Sequence, residues 1–189
     1  MPVVSRERLV ELEAQIFEQG QRTVEEAASE FSRADLIETI RAARRSLRET
    51  LHSLPDSAFE AQPPNEAGEP EWSAGEIVAH LTQSMLRFQF GLRRMAGENL
   101  EGEPAGAPEL AVLDRAATLA LLDRADREFD HALAMAENID DSSRTELGPL
   151  GSLGPRGLLL LHAMHEWDHA GQTVVLGNSD ATRFTTQDP

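Results

Sequence analysis

Apolar residues recur at intervals of three and four in five separate stretches of the chain, the period of helices with one buried face. The first stretch, Ser5 to about Glu30, places Leu9, Leu12, Ile16 and Phe17 on one stripe and is interrupted by Gly20. It reads either as a separate packing helix or as an arm. A second helix is expected to start with Ser32 as N-cap and to run to about Leu54, carrying Leu36, Ile37, Ile40, Ala43, Leu47 and Leu51 inward before Pro55 closes it. The third has the clearest start signal: Ser73 followed three residues later by Glu76 makes a capping box. It runs to about Ala96 with Ile77, Leu81, Met85, Phe88, Leu92 and Met95 as its core stripe. Asp114 or a near neighbour caps a fourth helix to about Glu137, and the last opens at Pro155 and ends near Gly177.

Between these helices lie three long irregular segments, Pro55 to Glu71, Gly97 to Pro108 and Asn138 to Gly154, rich in proline and glycine. Connections of this length permit crossovers as well as hairpins. The expected fold class is therefore all-α, a four-helix bundle over residues 31–178 with an N-terminal helical extension over 1–30 and a C-terminal tail over 179–189.

Charge and composition narrow the function. Thirty-three acidic residues against 17 Lys and Arg give a net charge of −16, which repels phosphate backbones and anionic lipid, so neither nucleic acid nor a membrane is expected as a partner. The N-terminal residues lack the apolar core of a signal peptide, and no apolar run approaches the roughly 20 residues of a membrane span. A soluble, cytoplasmic protein is expected. Without cysteine there is no disulfide framework, thiolate metal site or cysteine nucleophile. Any metal must be held by His, Asp or Glu.

Three of the six histidines fall within eight residues of the final helix. On an ideal helix His162, His165, His169 and Gln172 span an arc of roughly 80°, with Leu160, Ala163, Met164, Trp167, Gly171 and Val174 expected on the opposite, apolar side. The i, i+4 pair His165 and His169 can direct two imidazoles at one ion. His80, which borders the interior on its own helix, is the best-placed third ligand. His52, at a frayed helix end, and His131, in an acidic run, are set aside as surface residues. The plain alternative is that the cluster covers a polar helix face. His165 to His169 also reads as His-Glu-x-x-His, with Glu166 as general base of a zinc protease. Against that stand the short chain after His169, the missing third histidine of metzincin spacing and the absence of an upstream strand to align a peptide.

Two motifs resemble the DinB/YfiT-like family of metalloenzymes, which is distinct from the polymerase sharing the DinB name. They are Trp72-Ser73-Ala74-Gly75-Glu76-Ile77-Val78-Ala79-His80-Leu81 and, about 85 residues later, His165-Glu166-Trp167-Asp168-His169-Ala170-Gly171-Gln172. The resemblance spans about Ser32 to Gly177. It implies a four-helix bundle with a crossover, often a homodimer, and a divalent metal, zinc or nickel, on His80, His165 and His169. His162, Gln172 and Glu76 are then candidates for supporting the ligands from behind. Three neutral histidines leave positions open on an ion, the arrangement of a catalytic site. The implied function is a metal-dependent thiol transferase or hydrolase acting on a small molecule, with a low-molecular-weight thiol as cosubstrate, in stress response or detoxification. The other class is a non-catalytic metal-binding or interaction protein on a dimeric bundle. Arg87 is available to meet an anionic group, although a surface or ion-pair role is the simpler reading, and the three long loops are expected to wall a pocket.

Overall fold

Ser32, Ser73 and Asp114 each accept a backbone N–H from the first turn of a long helix, the caps that the sequence predicts. The computed structural model describes residues 3–64, 71–102, 104 and 108–184. Parts of the first two long loops, and the last residues of the expected tail, lie outside the described residues. The helices are α1 (Arg6–Glu13), α2 (Val24–Ala28), α3 (Arg33–Ser53), α4 (Ala74–Met95), α5 (Arg115–Asn138) and α6 (Pro155–Phe184). The all-α expectation holds. Helices α3, α4, α5 and α6 form the bundle, in which α6 packs on α3 and α4, and α5 packs on α4 and α3. Chain neighbours α3 and α4, and likewise α5 and α6, thus stand diagonally, so two of the three connections cross the bundle.

Buried side chains fill this bundle as the periodicity requires. Leu36, Ile37, Ile40, Leu47 and Leu51 of α3 and Ile77, Leu81, Met85 and Leu92 of α4 are almost wholly excluded from solvent. Trp167 packs against both of the clusters into which the core divides.

Four features differ from the sequence expectation. The N-terminal stretch is two short helices joined through a π-helical turn, Ala14–Glu18, and Gly20 at φ 60° reverses the chain between them. These helices bury Leu9, Leu12, Val24, Ala27 and Ala28 against the bundle. Glu25 of α2 accepts the Gly154 N–H at 2.7 Å, placing a negative charge at the start of α6. A second difference is that α6 continues past Gly177 to Phe184. Third, its expected division into a histidine side and an apolar side is not observed: His162, Glu166, His169 and Thr173 are buried together with Leu159, Ala163 and Met164, whereas Val174 is 44% exposed. The cause is that α1 and α2 cover the side of α6 that α3 and α4 leave open. Finally, the loop before α6 contains a small antiparallel hairpin, β1 (Thr145–Glu146) and β2 (Ser152–Leu153), with Thr145 opposite Leu153.

Candidate metal centre

The capping box starts α4 in a fixed register: Ser73 Oγ accepts the Glu76 N–H, and Glu76 Oε2 accepts the Ser73 N–H at 2.8 Å. Gly75 in this first turn lets the Leu113 backbone approach so closely that an added Cβ would lie 2.7 Å from Leu113 N. His80 follows one turn after Glu76. It meets His165 and His169 of α6, so the site joins one helix from each half of the chain.

His165 Nε2 lies 3.0 Å from His80 Nε2 and 3.2 Å from His169 Nε2. One donor atom from each of the three residues falls within 4.8 Å of the others. Ligand nitrogens about 2.0–2.1 Å from a tetrahedral zinc stand about 3.3 Å apart, so the two short separations have the span of a shared ion. The surroundings favour neutral rings, the form that binds a metal. Burial first, then the neighbouring His169 and His162, push the His165 imidazole down to about 3. Burial also lowers His80, reinforced by His169 and by the Arg87 charge.

His169 Nδ1 is 2.9 Å from Gln172 Oε1, an oxygen that can only accept, so the ring proton sits on Nδ1 and the Nε2 lone pair faces the cluster. Gln172 in turn donates to Asp168 at 3.0 Å. Trp72 walls the site, stacked on His169 at 5.9 Å between centroids and tilted on His80 at 4.8 Å. The sequence signal for Trp72 was its place immediately before the capping serine, but nothing in helical periodicity marks a residue outside the helix as a wall.

Two other candidates lie elsewhere. Glu76, expected behind an imidazole, directs its carboxylate to Ser73 instead, because the cap requires it. His162 stacks face to face on Phe88, centroids 4.5 Å apart, and its Nε2 lies 3.2 Å from Glu166 Oε1 without the alignment of a hydrogen bond. It stands outside the three-histidine group. His52 and His131 are exposed.

Glu166 belongs to a buried ion cluster that periodicity did not reveal. Its Oε1 accepts from Arg44 Nη2 at 2.7 Å and from Nε at 3.2 Å, and Arg44 also donates to Asp126 at 2.6 Å. Burial would raise the Glu166 carboxyl, yet the Arg44 charge and His162 together hold it below the ordinary carboxylate range. A carboxylate tied to a guanidinium and wholly buried cannot serve as a general base at the cluster, so the protease reading fails on geometry.

Two cavities flank the histidines. One, of about 400 Å³, is lined by Trp72, Ile77, His169, Gln172, Val175 and Leu176 together with Glu71 of the first long loop. The other, of about 330 Å³, has His162 and His165 in its wall and takes Leu147 and Leu150 from the third loop. Described residues of the second loop line neither cavity. Arg87 lines the second and has an interaction of its own.

A family model described as the DinB superfamily matches residues 39–173. Among solved structures, the crystal structure of TT2238, described as a four-helix bundle protein, is similar at a TM-score of 0.50 with 21% identity, covering 76% of this chain and 98% of the other. At that identity the likeness concerns the fold. No curated protein matches the chain.

Proposed function

This chain belongs to the DinB superfamily, and on that premise we propose that it is a metal-dependent enzyme acting on a small molecule, as a thiol transferase or a hydrolase. The observation that carries the reading is the convergence of three imidazole Nε2 atoms from α4 and α6, two of the separations being 3.0 and 3.2 Å. His80, His165 and His169 would hold a divalent ion, zinc or nickel. Held by neutral imidazoles alone, such an ion supplies Lewis acidity toward a bound water, thiol or carbonyl oxygen.

The remaining residues prepare the site. Gln172 fixes the His169 tautomer, and Trp72 excludes water from one side. The Arg44–Glu166 pair locks α6 against α3 and so fixes the rotation that aims His165 and His169. The flanking cavities favour a substrate over simple storage of an ion. A chain without cysteine would take its thiol from a cosubstrate. Stress response or detoxification is the setting such chemistry suits. A cytoplasmic homodimer is part of this proposal; no helix among the described residues is long and apolar enough to cross a membrane, and Val174 of α6 is 44% exposed.

Elemental mass spectrometry on untagged protein purified without chelator tests the reading. About one equivalent of metal per chain is expected, and it should be lost in His80→Ala and in His169→Ala. Protein that takes up neither zinc nor nickel on reconstitution would overturn it. Tight metal without turnover across thiols paired with esters or electrophiles would leave the non-catalytic metal-binding reading.

A further inference from the structure

The segment before residue 39 lies outside the family match, yet it reaches the neighbourhood of the histidines. Glu13, the last residue of α1, and Phe17, in the π-helical turn, line the 330 Å³ cavity that has His165 in its wall. A π turn swings side chains off the α-helical stripe and is found more often at functional sites than elsewhere. Here it carries Phe17 to the cavity, where the ring remains 49% exposed, while the hairpin contributes Leu150, 40% exposed. Deeper in, Phe88 of α4 and Leu158, Leu161 and Met164 of α6 continue an apolar lining.

We propose that this cavity is the site for the apolar body of a small uncharged or cationic molecule, and that the N-terminal segment, through Phe17, determines which molecule fits. Three features carry the assignment. The volume lies within the range of small-molecule sites, roughly 300–1,000 Å³. Aromatic and branched side chains left half-exposed in a concave surface gain about 25 cal/mol per Å² when an apolar occupant covers them. The charge of the lining disfavours an anion: among the described residues, the carboxylates Glu13 and Asp168 line the cavity against one guanidinium, Arg87. That the reacting end of the occupant points to His165 rests on the functional reading above. The cavity assignment itself does not.

The test uses the full chain and two dyes that brighten in apolar surroundings, uncharged N-phenylnaphthylamine and its anionic relative anilinonaphthalene sulfonate. Saturable binding of the uncharged dye is expected at one per chain, at least tenfold tighter than the anion. Phe17→Ser and Leu150→Ser, both at half-exposed positions, should each weaken it at least fivefold, whereas Val175→Ser in the other cavity should leave it unchanged. Binding indifferent to Phe17 and Leu150, binding lost instead in Val175→Ser, or equal binding of the anion would overturn the assignment. Metal content measured on the same samples separates the two readings. Phe17-dependent dye binding in protein that takes up no metal sustains the cavity and defeats the metalloenzyme, and the converse pattern does the reverse.

Discussion

Gln172 Oε1 stands 2.9 Å from His169 Nδ1, one helical turn along α6, and this contact decides which nitrogen of His169 carries the proton. Since Gln172 is exposed, its substitution should leave the fold intact while freeing the ring to adopt either tautomer. Gln172→Leu is expected to weaken zinc binding by about 10- to 100-fold, the usual effect of removing a partner behind a metal ligand. Competition against a chromophoric chelator measures this. An unchanged affinity would show that the contact does not orient the ring.

Removing Arg44 leaves the Glu166 carboxyl wholly buried and without its guanidinium partner, with the His162 imidazole, 3.2 Å away, beside it. Arg44→Met should destabilise the protein by about 3–5 kcal/mol, and Arg44→Met combined with Glu166→Leu should recover much of the loss, because an apolar pair of similar volume replaces a buried ion pair with little penalty. Urea denaturation of the two single variants and the double variant decides. Additive losses would mean that the two side chains do not act as a pair.

Gly75→Ala places a methyl group 2.7 Å from a backbone nitrogen, which cannot rotate away as a flexible side chain can. The expected effect is a loss of about 1–3 kcal/mol in stability as α4 and the Leu113 segment are forced apart. Thermal unfolding provides the readout. A variant as stable as the parent would mean that the close approach relaxes without strain.

The acid sensitivity of the metal-free protein follows from His165. Burial holds its folded imidazole at about 3, far below the ordinary 6.5. Between those values the unfolded chain binds the proton and the folded one does not. The contribution is therefore complete above pH 6.5 and declines as pH falls toward 3, by at most about 1.4 kcal/mol per pH unit for one group. Denaturation midpoints in chelator should drop between pH 7 and pH 5, and His165→Ala should flatten the drop. The flattening is partial, because the lowered His80 titrates in the same window. Equal slopes in parent and variant would sink the assignment.

The clustering of His80, His165 and His169 was legible because its evidence is local: an i, i+4 pair on one helix and a single histidine on the core edge of another. The same periodicity misread the rest of α6. It assigns one buried face to a helix, whereas α6 is enclosed by α3 and α4 on one side and α1 and α2 on the other, so Glu166, next to His165 in sequence, turns into the interior and meets Arg44. That pairing joins residues 122 positions apart, which spacing along one helix cannot show. The hairpin escaped notice because its strands are two residues each, too short for an alternating pattern. Gly177 read as a helix end because glycine commonly follows one, but its backbone keeps a negative φ and the helix passes through.

The bond from Glu25 to the start of α6 spans 129 positions, and α1 and α2 bury their apolar faces largely on that last helix. During synthesis a chain emerges from its N-terminal side at about 5–20 residues per second, so α1 and α2 wait for their partner while the more than one hundred residues between are made. Leu9, Leu12, Val24 and Ala27 stay uncovered for that interval. The packing of α1 and α2 thus cannot be completed before α6 has emerged, and chaperones can engage their apolar residues throughout that interval.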